Sequence, residues 1–241
     1  MRLAGLSKSH NFQSRSLTVD VLRGTSILLM IVFHFAYDLT VFGYAHYDTN
    51  IDIEWRIFRV VIVSGFLLAV GMSSYLAYQQ HINKQKLTKN LLKLFMVSAL
   101  ISISSYMMYP NNWVYFGIIH FVTVALPLSL LFIHRPNFSL IVAMIIILGY
   151  FTGTLTLEHP WVWSVKHLGI PVHTADLVSV LPWFALVLMG IFIIHHQLLP
   201  KIKANNLSLF LARLGQHSLV IYLLHQPVLF TGFYLVQHLA E

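Results

Sequence analysis

A chain of 241 residues that is 57% hydrophobic and only 10% charged, with a net charge of +7 and no cysteine, is far too apolar for a soluble domain of its size. A globule of this length cannot remove that much surface from water, so a mean hydropathy of +0.73 places it in a bilayer. The missing cysteine excludes disulfides, thiolate metal sites and a cysteine acyl-enzyme.

About 20 apolar residues are needed to cross the hydrocarbon core, and on that basis the sequence predicts about seven spans. In chain order they are 17–42, 56–79, 91–109, 114–133, 139–156, 179–197 and 216–237. Turn-forming punctuation separates them at Tyr109-Pro110-Asn111-Asn112, His134-Arg135-Pro136-Asn137 and Leu199-Pro200-Lys201. The expected architecture is therefore all-α, a polytopic integral membrane helix bundle. The first span reads as a permanent helix rather than a cleaved signal, because it is long, carries Arg23 and His34, and lacks a small-x-small cleavage site. Residues 1–16 form a tail and 17–238 a single transmembrane unit, with 157–178 as the longest connection. No internal repeat is visible.

Charge sets the expected orientation. With the N-terminus cytoplasmic, the inner segments hold Arg2, Lys8, Arg15, Lys84, Lys86, Lys89, Lys93, Arg135, Lys201, Lys203 and Arg213. The acids Asp48, Asp52, Glu54, Glu158, Asp176 and Glu241 fall on the other side, which leaves the C-terminus outside. The net positive charge then follows from cytoplasmic loops, and no nucleic-acid partner is expected.

In the first span Asp20 and Asp38 stand five helical turns apart and share an azimuth, with Arg23 and His34 within roughly 60° of them. The line covers about 27 Å, close to the hydrocarbon thickness. Ionisable groups in lipid are costly, so this line must face other helices or a wet cavity. His34 and Asp38, at i and i+4, suit a direct hydrogen bond in which the carboxylate orients a general base. The same pair also suits plain interhelical bonding, and Asp20–Arg23 suits an interfacial ion pair.

Further polar groups are expected to converge on the outer half: His120 in the fourth span, Arg56 and Arg59 at the start of the second, His173 and Asp176 before the sixth, and His225 next to Pro227. Arg56 and Arg59 equally suit snorkelling to the interface, and His225 suits capping the carbonyl that a proline frees. On the inner side Lys84, Lys86, Lys89 and Lys93 cluster in one loop. They suit the phosphates of a nucleotide-bearing donor, although cytoplasmic bias alone accounts for them. There is no phosphate loop, dinucleotide fingerprint, zinc motif or nucleophile elbow, and no metal is expected.

Several segments resemble a bacterial membrane family related to the catalytic domain of heparan-alpha-glucosaminide N-acetyltransferase. They are Ser16-Leu17-Thr18-Val19-Asp20-Val21-Leu22-Arg23-Gly24 running on to Phe33-His34-Phe35-Ala36-Tyr37-Asp38-Leu39, then Tyr115-Phe116-Gly117-Ile118-Ile119-His120-Phe121, Leu181-Pro182-Trp183-Phe184, and Leu214 to Pro227 with Tyr222 and His225. More distantly, the opening and Val63-Ser64-Gly65-Phe66-Leu67 look like a second membrane acyltransferase family that decorates glycans. The resemblance implies a transmembrane acyltransferase of a bacterial inner membrane, with acetyl-CoA or another acyl-CoA as cytoplasmic co-substrate. A glycan or amino-sugar acceptor would lie on the outer side. His34, Asp38 and His120 would be catalytic, Asp20, Arg23, Lys84 and Lys86 would meet the donor, and Arg56, Arg59, His46, Asp176 and His225 would lie on the acceptor side. In the lysosomal enzyme the proposed active histidine follows the first span in a lumenal loop, where this chain has His46 at a different spacing, so the role stays open between His34 and His46. Besides the bilayer and the two substrates, the resemblance allows a homo-oligomer.

Two other classes fit the same residues. A transporter or proton relay would use the polar line of the first span, but needs repeat symmetry or paired broken helices that are not visible. A haem or quinone protein would use His34, His120 and His225 at matched depths on facing helices.

Overall fold

The computed structural model describes residues 16–49, 51–156, 158–172, 174 and 176–239, with the backbone alone for 158–160. Arg2, Lys8, Arg15, His173 and Glu241 lie outside the described residues, as does nearly all of the tail 1–16.

The described residues form nine α-helices: α1 Leu17–Val41, α2 Ile53–Tyr78, α3 Lys84–Met108, α4 Ile118–Ser129, α5 Pro136–Phe151, α6 Glu158–Leu168, α7 Val180–His195, α8 Asn206–Gln216 and α9 Ser218–Leu239. The one β-type contact among them is an isolated bridge between Phe116 and Leu177. Every expected span contains a helix. Four of these (α1, α2, α3 and α9) are long and apolar enough to cross a membrane. The cores α4, α5 and α7 are apolar but shorter, and residues 114–117 before α4 are not helical.

Three places differ from the sequence expectation for local reasons. The lysine cluster is not a loop: Asn83 Oδ1 accepts the Lys86 N–H at 2.9 Å, so α3 starts at Lys84 and carries the lysines on its first turns. In the connection after α7, Asn205 Oδ1 accepts the Ser208 N–H at 2.8 Å while Ser208 Oγ accepts the Asn205 N–H at 2.9 Å. That reciprocal cap starts α8 where an apolar window sees only a polar gap. The stretch 157–178, expected as a plain connection, contains α6, because a short helix escapes a window of about 20 residues.

Named contacts give the direction of each helix. Ser26 faces Gly65, and Phe33 meets Trp55 with ring centroids 6.0 Å apart, so α2 runs antiparallel to α1. Asn90 donates to Tyr78 Oη at 3.2 Å, and Ser98 meets Thr123 at 3.3 Å, so α3 reverses α2 and α4 reverses α3. Ser139 donates to the Leu188 carbonyl at 3.1 Å, and His196 meets Asn137 at 2.7 Å, which sets α7 against α5. Phe42 packs on Phe230 at 4.9 Å, so α9 returns parallel to α1. Chain order thus alternates direction through α1, α2, α3, α4, α5, α7 and α9. The end that carries the α3 lysines is called the lysine end below, and the opposite one the far end.

The core lies between α2, α4 and α7, around Leu67, Phe121, Ala125, Val187, Leu188 and Ile191. Backbones touch at two crossings. A Cβ at Gly71 would run into the Val187 carbonyl, and one at Gly24 into the Leu211 carbonyl. Small residues at such crossings let helices close to van der Waals contact without a hydrophobic driving force. The second crossing holds α8 against α1 beside the polar line.

Candidate functional site

The polar line of α1 faces inward. Asp20 is 6% exposed and Asp38 fully buried, and both are met by glutamines from the C-terminal part of the chain. Gln216 Nε2 donates to Asp20 Oδ2 at 3.1 Å, and Gln226 Nε2 donates to Asp38 Oδ1 at 2.8 Å. Arg23 pairs with Asp20 at 3.8 Å and also donates to Ser73 Oγ.

His34 and Asp38 are not hydrogen-bonded to each other. Helical side chains lean toward the N-terminus of their own helix, so His34 leans toward Met30 and away from Asp38. Its Nδ1 meets the Met30 carbonyl at 2.9 Å. A carbonyl only accepts, so Nδ1 carries the hydrogen and, in the neutral ring, Nε2 keeps its lone pair. The same holds for His225, whose Nδ1 meets the Tyr222 carbonyl at 2.6 Å. The two imidazoles pack edge to face with centroids 4.6 Å apart. Three buried polar atoms around them have no hydrogen-bond partner: Asp38 Oδ2, His225 Nε2 and Gln226 Oε1.

Beside this cluster a cavity of 280 Å³ runs between α2, α3, α4 and the start of α9. Asn90, Tyr78, Ser73, Arg23 and Ser218 line its lysine-end portion, and Ile118 and Tyr222 its far portion, with apolar walls from Phe66, Val70, Leu94, Val122 and Leu126. Asn90 also borders an open groove of 290 Å³ with Lys86, Lys89, Asn83 and Gln85. The lysine groove therefore adjoins the cavity mouth, while Lys84 stands outside both. At the other end, Tyr222 donates from Oη to Asp176 Oδ2 at 3.2 Å. The same carboxylate oxygen accepts the Ile118 N–H at 3.1 Å and so ties the start of α4 to α9.

His120 is drawn into the α3–α4 junction. The Gly117 N–H donates to its Nδ1 at 3.2 Å, so Nε2 carries the hydrogen and donates to Ser102 Oγ at 2.9 Å. Ser102 passes its own hydrogen to the Val114 carbonyl at 2.8 Å. Both ring nitrogens are thus engaged in holding the entry to α4. Arg56 and Arg59 at the start of α2 and His46 in the preceding loop are exposed, apart from the His34–His225 contact. Among the described residues no group of three His, Cys, Asp or Glu side chains is placed to hold a metal ion.

Residues 15–227 match the family model described as heparan-alpha-glucosaminide N-acetyltransferase, catalytic. The chain belongs to that family. No curated protein and no solved structure matches the chain. Membership makes it a membrane protein of an acetyltransferase family, and the matched range holds every residue of the cluster, from Asp20 through His225 and Gln226.

Sequence reasoning missed Gln216, Gln226, Ser73 and Asn90. Their signal was present but faint. Gln226 is a polar residue inside an apolar span, directly between His225 and Pro227. Being uncharged, it escapes a search for ionisable groups within apolar runs.

Proposed function

We propose that the chain moves an acyl group, acetyl in the simplest case, from a cytoplasmic acyl-CoA to an amino sugar or glycan on the far side of a bacterial inner membrane. In this reading residues 17–238 form one unit of seven spans, the N-terminus is cytoplasmic, and the lysine end faces the cytoplasm. The observation that carries it is the cavity between the Lys86–Lys89 groove and Tyr222, whose far portion lies one helical turn from the His34–His225 pair.

The donor's phosphates would rest on Lys86 and Lys89, with Lys84 adding to the positive field. Its flexible arm would thread past Asn90 along the apolar walls, with Arg23, held by Asp20 and Ser73, as the cation beside it. Asp176 and His120 would keep the far portion in shape through Tyr222 and the entry to α4. The acceptor would arrive past Arg56, Arg59 and His46. As its nitrogen or oxygen attacks the thioester carbon, His34 Nε2 takes the proton, with Asp38 close by to favour the imidazolium. The carbon–sulfur bond breaks, and the leaving thiolate takes the proton back from His34. The products are the acylated acceptor and free coenzyme A.

The test is turnover of labelled acetyl-CoA in proteoliposomes of known sidedness, with an amino-sugar acceptor on the opposite face. Donor should be used only from the lysine end. A protein that neither binds nor turns over acetyl-CoA from either face removes the reading. Proton flux across the same vesicles without acyl transfer would favour the relay instead.

A further inference from the structure

The three buried unpartnered atoms have one property in common. Asp38 Oδ2 is a carboxylate oxygen, Gln226 Oε1 an amide oxygen, and His225 Nε2 a ring nitrogen whose hydrogen sits on Nδ1. With Asp38 ionised and the His225 ring neutral, all three are hydrogen-bond acceptors and none of them has a hydrogen to give. Buried polar groups are almost always paired, so three orphans in one cluster require an explanation. They also belong together. Gln226 Nε2 and Asp38 Oδ1 form the bond that joins α9 to α1, so Oε1 and Oδ2 are the free halves of the two groups in that bond. His225 is the next residue on α9, and its ring lies against His34.

We propose that Asp38, Gln226 and His225 form the binding site of the acyl acceptor, which takes a group bearing several N–H or O–H hydrogens, and that Gln226 sets this selectivity. Gln226 acts at both ends of its amide. Its Nε2 fixes Asp38 in one rotamer, and its Oε1 receives a hydrogen from the acceptor. A thioester offers no hydrogen, so the donor's reacting end gains nothing from this set of atoms. Discrimination between the two substrates follows from the absence of donors in the site. Sites built to pair with substrate hydrogens reject analogues that lack them, because the buried acceptors are then left unpaired. The inference rests on the acyltransferase reading for the name of the ligand, but the binding it describes is measurable without any reaction.

The experiment uses the full chain in nanodiscs. Binding of labelled glucosamine and of glucose is measured without acetyl-CoA, beside binding of acetyl-CoA alone, in wild type, Gln226→Met and Gln226→Glu. Wild type should bind at least one of the two sugars saturably. Gln226→Met should weaken that binding tenfold or more and leave acetyl-CoA affinity within twofold, which also shows that the variant is folded. Gln226→Glu keeps an oxygen acceptor but sets a second carboxylate against Asp38, so it should favour glucosamine, as the ammonium, over glucose relative to wild type. The proposal is overturned if wild type binds neither sugar, or if Gln226→Met lowers thermal stability without changing sugar affinity, which would mark a structural hydrogen bond or a trapped water. Loss of acetyl-CoA affinity in place of sugar affinity overturns it too. Failure of wild type to bind acetyl-CoA, with sugar binding that depends on Gln226, would remove the acyl-transfer reading and leave this site standing.

Discussion

Gly24→Ala is a one-carbon change on α1 that should reach the cavity through α8. The new Cβ would meet the Leu211 carbonyl, and the backbone of Gly215 lies just behind it. Neither obstacle is a flexible side chain, so relief requires α8 to move as a body. Overpacking typically costs about 1–3 kcal/mol, and a backbone obstacle puts this site at the upper end. Alanine's better helix propensity returns about 0.5–1 kcal/mol, leaving a net loss of about 2 kcal/mol. At roughly 2–4 °C per kcal/mol for a chain of this size, the melting temperature should fall by about 4–8 °C. A functional loss should accompany it, because α8 carries Gln216, Gln216 holds Asp20, and Asp20 pairs with the Arg23 that lines the cavity. Acetyl-CoA affinity should therefore drop together with stability. Gly232→Ala in α9 is the matched control, since a Cβ there meets nothing within 4 Å. Both variants would be followed by a thermal-shift assay in detergent and by acetyl-CoA titration. If Gly24→Ala melts and binds like Gly232→Ala, the tight α1–α8 crossing and its link to Arg23 are refuted.

His34→Asn keeps a side-chain N–H near the position of Nδ1 but has no Nε2, so kcat should fall by about 10²–10⁴ with the KM for acetyl-CoA little changed; steady-state turnover in proteoliposomes checks it, and unchanged kcat moves the base elsewhere. His120→Ala removes the bonds to Gly117 and Ser102, and should cost about 1–3 kcal/mol in thermal unfolding and less turnover than His34→Asn. A larger kinetic than structural effect there would return His120 to the chemistry. Lys86→Ala with Lys89→Ala should raise the KM for acetyl-CoA about three- to tenfold at low salt, and the difference should shrink as salt is added. Tyr222→Phe deletes the bond to Asp176 while leaving the carbonyl that holds His225, so donor affinity should change more than kcat in a saturation series.

The sequence exposed what is expensive in a bilayer. Charges within apolar runs stand out because they cost so much there, and Asp20, Arg23, His34 and Asp38 do line one inward face of α1. The seven apolar runs each correspond to a helix for the same reason. What stayed hidden depends on neutral groups and on direction. The lysines looked like a loop because hydropathy registers their charge and not the Asn83 cap that makes them helical. Short α6 and α8 escape any window sized to a membrane. The contacts of Asp176 with Tyr222 and the start of α4 stayed hidden too, because they depend on the loop before α7 folding back onto residues 116–118.

The fate of the His34–Asp38 pair generalises this point. A spacing of four residues puts two side chains on one face, yet it does not make them partners, because each leans toward the turn before it. His34 is spent on Met30, and Asp38 must find its partner on another helix. That partner comes from α9, nearly two hundred residues later, and so does the second imidazole. Because α1 and α9 run parallel, their polar residues meet at matched depth, His34 with His225 and Asp38 with Gln226, while Gln216 at the end of α8 meets Asp20. The chemistry of the site is thus a property of this helix pair. A change that slides α9 by one turn against α1 would uncouple both of its contacts at once while leaving every residue of the α1 stripe in place.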